Sequence, residues 1–281
     1  MKITYLGTAA AEGVPAFFCD CPTCTEARKR GEKEFHTRSQ FLADESVGID
    51  FPPEAFSHAL RFGVDYRKLR HLFITHSHTD HCYLQDLILR GYKYTSPVEG
   101  VLTVYGNKEV TEVFRESTRR ELKKEVAQNL RVVEINAFTP ITAGDYEVTP
   151  LPANHGKSPA FVYLIEKGEK AYLHLTDTGR LPEETLTFLK SRFQDRESKV
   201  GLVTFDCTFL FHEGGDTARH MGLPDNRLLQ AYLEENGVCD GATKYAMTHY
   251  SHNSAPLSEN LARAEKESGY IATYDGTSVE F

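Results

Sequence analysis

No apolar run approaches the roughly 18 residues that a membrane-spanning helix needs, so no transmembrane segment is expected. A leader pattern is also missing. Met1-Lys2 runs straight into Ile3-Thr4-Tyr5-Leu6, which reads as a strand, and the expected location is cytoplasmic. There is no surplus of positive charge: the formal net charge is −8. That balance argues against nucleic acid as a partner, because such affinity is built on wide contact with phosphates. A small anionic substrate stays open, since bound metal would reverse the local field. Linkers, low-complexity tracts and short-period repeats are absent, so residues 1–281 read as a single domain. The loop Gly7-Thr8-Ala9-Ala10-Ala11-Glu12-Gly13 lacks the Gly/Lys/Ser order of a phosphate-cradling loop. Its small residues predict a tight passage close to other backbone or to a ligand.

The chain does have core-forming residues, at 40% of the sequence, and a dense cluster of donors. Thr75-His76-Ser77-His78-Thr79-Asp80-His81 follows the apolar run Leu72-Phe73-Ile74. Such a run reads as a buried strand. Adjacent imidazoles repel one another when protonated and need a reason to be together. Neutral imidazoles and carboxylates are ligands for divalent metals. The second half repeats the arrangement of a strand followed by a metal-capable residue. Tyr146–Leu151 leads to His155, Ala171–Thr176 to Asp177, Val200–Phe205 to Asp206, and Lys244–Thr248 to His249. Counting strand ends gives His76, His78, Asp80, His81, His155, Asp177 and His249. One catalytic zinc takes about three protein ligands, so seven fits two metals sharing a carboxylate. Such a pair can activate water and stabilise charge on an attacked phosphoryl or acyl group. Nitrogen and oxygen donors without thiolate suit zinc, manganese or iron. Of the six cysteines, Cys19, Cys21 and Cys24 cluster in a way that suggests a further zinc site short of its fourth ligand.

Phe41–Ala43 and Val47–Ile49 read as hairpin strands, and Val101–Tyr105 as another strand. Helices are expected over about 54–62, 83–92, 108–128, 182–190, 224–235 and 258–268. Two sheets with helices outside them would bring the strand ends to a common edge.

The signature His76-x-His78-x-Asp80-His81, with His155, Asp177 and His249, resembles the metallo-β-lactamase superfamily. The resemblance implies an α/β (α+β) fold, the four-layer αββα sandwich, with a dinuclear site at one sheet edge. It implies that His76, His78 and His155 bind one metal, zinc or manganese, that Asp80, His81 and His249 bind the other, and that Asp177 bridges them. A narrower resemblance covers nearly the whole chain. Gly7-Thr8, Glu12-Gly13-Val14-Pro15, Cys19-x-Cys21-x-x-Cys24, Ser158–Leu164, Thr176-Asp177-Thr178, Phe205-Asp206-Cys207, Arg219-His220 and Thr248-His249-Tyr250-Ser251-His252 are similar to PhnP-type phosphodiesterases. This implies a structural zinc held by Cys19, Cys21, Cys24 and His252, and catalytic roles for Asp80 and His220. It also implies ligand-orienting roles for Asp50 and Asp206. The implied substrate is a small phosphodiester, 5-phosphoribosyl 1,2-cyclic phosphate, opened to ribose 1,5-bisphosphate. Two departures concern the pocket wall: Leu84 stands where many members have glycine, and Asp50-Phe51-Pro52-Pro53 where many have Asp-x-Gly. The rival expectations are a tRNA 3′-processing nuclease, a thiolester or lactam hydrolase, and a non-catalytic carrier of coenzyme biosynthesis. A homodimer is compatible with the reading.

Overall fold

The computed structural model describes residues 1–96, 98–157 and 159–281; Ser158, the first residue of one segment of the resemblance, lies outside them. The strands are β1 (Lys2–Gly7), β2 (Gln40–Ala43), β3 (Val47–Ile49), β4 (His71–Phe73), β5 (Leu102–Gly106), β6 (Leu130–Glu134), β7 (Ile141–Ala143), β8 (Tyr146–Pro152), β9 (Phe161–Lys167), β10 (Lys170–Leu175), β11 (Val200–Asp206), β12 (Lys244–Thr248), β13 (Ile271–Ala272) and β14 (Thr277–Glu280). One sheet runs β14-β1-β2-β3-β4-β5-β6 and the other β13-β12-β11-β10-β9-β8-β7. The α-helices are α1 (Pro22–Arg30), α2 (Ala55–Phe62), α3 (Lys108–Thr118), α4 (Lys124–Ala127), α5 (Glu183–Phe193), α6 (Leu223–Glu235) and α7 (Ser258–Ser268).

Side-chain alternation along the strands builds the layers. In β1, Ile3 and Tyr5 enter a core with Phe41, Phe73, Tyr163, Tyr172 and Leu202, between the two sheets. Leu6 points to the opposite face, where Leu72 and Val104 pack with Ala55 of α2 and Val110 of α3. In the second sheet Leu173, Val203 and Met247 face away from the central core, toward Leu189 of α5, Leu229 of α6 and Leu261 of α7. Each such side chain contributes about 1.5–3 kcal/mol when fully buried. The result is the expected αββα layering.

β3-β4-β5-β6 are mutually parallel, as are β10-β11-β12-β13. Parallel neighbours require crossover connections, so their C-terminal ends collect along one edge. Asp50, the loop from His76, Asp177, Asp206 and His249 all leave this edge. β8 is antiparallel to β9, and β9 to β10, so β8 delivers His155 to the same edge. The small-residue loop makes the close approach predicted for it. A Cβ on Gly7 would meet the Arg38 carbonyl oxygen at 1.9 Å.

Two expected helices differ. The segment 83–92 forms a 3₁₀ helix over Leu84–Leu89, burying Leu84 and Leu87 at the three-residue spacing of that helix, with Ile88 beside them. The segment 108–128 is two helices, not one. The hydroxyls of Ser117 and Thr118 both donate to the Phe114 carbonyl, competing with the backbone ladder where α3 ends. The chain turns there before α4. Of the strands not anticipated, β9 is buried along nearly all its length, a continuous Phe-Val-Tyr-Leu-Ile run.

Candidate dinuclear metal centre

All seven residues singled out at strand ends meet in two overlapping clusters. His76, His78, His155 and Asp177 form one; Asp80, His81, Asp177 and His249 form the other. In the first, His76 Nε2 lies 2.8 Å from His78 Nδ1, and His155 Nε2 lies 3.3 Å from the same atom. A tetrahedral zinc holding two nitrogens at about 2.1 Å would set them about 3.4 Å apart. In the second, His81 Nε2 lies 3.0 Å from Asp80 Oδ2. Asp177 Oδ2 stands between the clusters, 3.1 Å from both His76 Nε2 and His81 Nε2 and 3.9 Å from His249 Nε2.

Local backbone conformation turns these groups toward one another. Asp50, Asp177 and His249 have φ of 63°, 56° and 66°. Asp and His tolerate this left-handed region better than most non-glycine residues, but it costs about 1–3 kcal/mol each. That cost is held by the surrounding hydrogen bonds.

Two threonines, neither of them anticipated, set the imidazole tautomers. Thr75 Oγ1 donates to Asp50 and lies 3.0 Å from His76 Nδ1, so toward that ring nitrogen it can only accept, and His76 Nδ1 donates. Thr208 Oγ1 donates to the His249 carbonyl and lies 2.8 Å from His249 Nδ1, which donates to it in the same way. His81 Nδ1 donates directly to Asp50 Oδ2 at 2.6 Å. All three rings therefore turn Nε2, with its lone pair, toward the centre. Asp50 also accepts from Thr75 N at 2.8 Å, which makes it the common support of two rings. Thr75 adjoins the signature and Thr208 follows Asp206 by two residues, but nothing in their spacing reveals which ring each supports.

The donor set fits a pair of divalent cations. His81 Nε2, His249 Nε2 and Asp177 Oδ1 are buried without a hydrogen-bond partner. His81 Nε2 is near two carboxylates, yet neither approach has hydrogen-bond geometry. Lone pairs facing carboxylates in a dry interior repel unless a proton or a cation lies between them. The proton affinities carry the same signature. Burial alone would lower His81, but Asp80 and Asp50 hold its imidazole well above the usual range. His76 is lowered to about 4 by burial and by its histidine neighbours. For Asp80, burial opposes ionisation, and His81 outweighs it and holds the carboxyl below its ordinary value.

His220 flanks this centre. Its Nδ1 lies 3.2 Å from Asp206 Oδ2 and 3.2 Å from Asp177 Oδ1, and its ring stacks on His249 at 5.4 Å. Burial would lower its pKa, but Asp206 and Asp177 raise it to about 9. Asp206 is fully buried, and its other oxygen accepts from Thr208 N and Met221 N. The loop carrying His220 is closed by one further carboxylate. Asp225 Oδ2 accepts from Gly214 N at 2.7 Å and Gly222 N at 3.1 Å, and Oδ1 accepts from Arg180 Nε at 2.9 Å. The centre opens into a cleft of ≈ 560 Å³ whose lining includes Glu12, Phe209, Arg219, His220 and Asn253.

A separate group lies beside the cleft. Cys19 Sγ and Cys21 Sγ lie 3.7 and 3.4 Å from His252 Nδ1, and Cys24 completes the cluster. A tetrahedral zinc sets sulfur and nitrogen about 3.6 Å apart. Hydrogen bonding from the Cys24 backbone and from His252 lowers Cys21 to about 6, whereas burial raises Cys24 to about 11. These four donors suit one structural zinc, whose thiolates would have to shed their protons. Of the remaining histidines, His36, His58 and His174 are buried and belong to neither group.

Among solved structures, the chain is similar to a diphosphatase of the PhnP family, at 22% identity and a TM-score of 0.72, covering 100% of this chain and 98% of that one. It is also similar to Zn(2+)-bound PqqB from Methylobacterium extorquens, at 17% identity and a TM-score of 0.69, with 100% of both chains covered. Human tRNase Z, short form, is similar at 14% identity and a TM-score of 0.68, covering 100% and 99%. At these identities the likeness speaks for the fold. No curated protein matches by sequence. No helix among the described residues is long and apolar enough to cross a membrane. The family described as the beta-lactamase superfamily domain matches residues 47–231, from the hairpin before the histidine signature to α6. With that match spanning well over half its length, the chain belongs to the metallo-β-lactamase superfamily.

Proposed function

We propose that the protein is a dinuclear-metal phosphodiesterase that hydrolyses a small phosphodiester, with 5-phosphoribosyl 1,2-cyclic phosphate as substrate and ribose 1,5-bisphosphate as product. The observation that carries this reading is the position of Asp177 Oδ2 between two sets of inward-facing imidazoles, with His220 on the cleft side. His76, His78 and His155 would hold one cation, Asp80, His81 and His249 the other, and Asp177 would be shared. When bound, two divalent cations acidify water and stabilise the charge that develops on a phosphoryl group.

The protein's own groups account for the remaining requirements. Asp50, Thr75 and Thr208 hold ligand rings in one tautomer and so exclude misdirected donors. Asp206 occupies His220 Nδ1, which leaves Nε2–H for the cleft. In hydrolysis a water oxygen bonds to phosphorus and the ester P–O bond breaks. The departing sugar oxygen takes its proton from His220 Nε2, and a proton of the water passes to Asp80. Imidazole suits this task because an alkoxide is a poor leaving group until protonated. The substrate is taken to be a small molecule met in the cytoplasm, with neither nucleic acid nor membrane as a partner.

The test compares wild type and His220→Ala, both after metal analysis, on the cyclic ribose phosphate and on bis-p-nitrophenyl phosphate. The cyclic substrate releases an alkoxide, so its turnover should fall by about 100-fold or more, in the range of general-acid catalysis. The activated ester releases p-nitrophenolate without needing a proton and should fall much less. Loss within about threefold on both substrates would remove His220 as proton donor. Turnover of a thiolester or lactam with neither diester hydrolysed would overturn the phosphodiesterase reading.

A further inference from the structure

We infer that the apolar pocket between α2 and the chain from Asp86 to Leu102 binds an aliphatic carboxylic acid, with its carboxylate on Arg90 and its chain against Phe51, Leu69 and Leu87. This site goes beyond the phosphodiesterase reading and does not depend on it. The pocket has a volume of ≈ 300 Å³ and shares no lining residue with the catalytic cleft. That is the small end of the range for ligand sites, about 300–1,000 Å³. Its wall is almost wholly apolar. Phe51, Leu69, Leu87 and Leu102 belong to the core under α2, and the exposed side chains of Phe56 and Leu89 stand at the rim. Neither of the two departures from the family pattern reaches the catalytic cleft. Phe51 lines this pocket instead, and Leu84 is buried in the same core cluster.

The positive charge at this pocket lacks a counter-ion. Arg90 Nε is buried without a hydrogen-bond partner. Its Nη1 and Nη2 make only long contacts, 3.5 Å to the Tyr66 carbonyl and 3.4 Å to the Gly100 carbonyl. Among the described residues no carboxylate pairs with it; burial, and then the neighbouring Arg70, hold its pKa below the ordinary arginine value. Arg70 reaches the same place, since a Cβ on Gly100 would lie 3.0 Å from Arg70 Nε. Its Nη1 donates to the Arg67 and Leu69 carbonyls and not to a carboxylate. Arg67, the other cation of the pocket, is already engaged by both oxygens of Asp65. A half-buried guanidinium beside a second one, with no carboxylate to balance them, is stabilised by an anion. A singly charged carboxylate suits it best. Its two oxygens match the planar fork of arginine, whereas Asp86 in the same wall would repel a doubly charged head. The wall itself is preformed. Phe51 N donates to the His81 carbonyl at 2.8 Å, and the Phe51 carbonyl accepts from Tyr83 N at 2.8 Å.

Calorimetric titration of the metal-loaded protein with octanoate tests this, beside 1-octanol and octyltrimethylammonium, which share the chain but not the anion. Octanoate should bind at least about tenfold tighter than either, as a charge-assisted contact allows. Hexanoate should bind about tenfold more weakly than octanoate, because two buried methylenes are lost. Arg90→Gln should bring octanoate to within about twofold of octanol, and Arg90→Lys should keep part of the difference. Ala59→Phe fills the pocket from a partly exposed position on α2 and should abolish binding of octanoate and octanol alike. Circular dichroism checks that the variants fold. Octanoate bound equally by wild type, R90Q and Ala59→Phe would be held at the metal centre or on an unspecific surface, and would overturn the inference. So would a wild type that binds octanoate no better than octanol, or not at all. Dimerisation abolished by Ala59→Phe and indifferent to octanoate would give the pocket to a second copy of the chain, with the same consequence.

Discussion

Replacing Asp225 should cost more stability than any exposed carboxylate of comparable charge. Its side chain is buried on the first turn of α6 and receives Gly214 N, Gly222 N and Arg180 Nε. In Asp225→Ala the Gly214 and Gly222 N–H groups lose their acceptor, at about 1–3 kcal/mol each when no water can replace it, and Gly215 N loses a longer contact with Oδ1. Arg180 is not orphaned, because Glu213 and Asp216 remain to it. The expected loss is therefore about 2–6 kcal/mol, set by the N–H groups left without an acceptor. Asp225→Asn separates the contributions. An amide oxygen at the Oδ2 position keeps both glycine bonds, while the NH2 group faces Arg180 Nε, which now meets a donor. That variant should lose only about 1.5–3 kcal/mol, one charge-assisted bond. Urea unfolding of the metal-free protein, with constant m-values, measures both. A loss below about 1 kcal/mol in Asp225→Ala, or a larger loss in Asp225→Asn, would refute the claim that one carboxylate closes the His220 loop.

Removing Cys24 or His252 as alanine should lower bound zinc by about one equivalent per chain in elemental analysis, while His81→Ala lowers a different equivalent. Unchanged zinc in either of the first two would dissolve the proposed four-donor site. Asp275 belongs to neither cluster and gives a separate pH signature. Burial raises its carboxyl to about 6, although Thr37, Thr8 and Arg61 pull the other way. A carboxyl raised on folding binds its proton more tightly in the native state. Its contribution is complete below about pH 4, the ordinary carboxylate value, and is lost as pH rises through about 6. The unfolding free energy of wild type relative to Asp275→Asn should therefore drop by about 2–3 kcal/mol between pH 4 and 7.5; a difference constant across that range would exclude the titration.

The ligand-bearing edge was readable because each donor follows an apolar run short enough to be a strand. Leu72-Phe73-Ile74 before His76 and Lys244–Thr248 before His249 are both strands or strand ends. The layering followed from the same runs. What escaped was decided by partners remote in sequence. Thr208 supports His249 across 41 positions, and no local pattern announces it. Asp225 looks like an ordinary first-turn helix acid until the loop folds back on it. The split between α3 and α4 falls where the Ser117 and Thr118 hydroxyls both bond the Phe114 carbonyl, a detail the segment's charge pattern does not show. β9 has the pattern of a buried strand, but a continuous apolar run does not by itself distinguish strand from helix.

The left-handed backbone at Asp177 and His249 bears on attempts to retool the centre for another metal. A designer who exchanges one donor chemistry for another also changes which main-chain shape is tolerable there. Substituting cysteine or glutamate would ask a less permissive residue to hold a fold that aspartate and histidine accept more readily, before any ion is offered. Selectivity should therefore be sought first behind the rings, at Thr75, Thr208 and Asp50, of which only Asp50 shares that constraint.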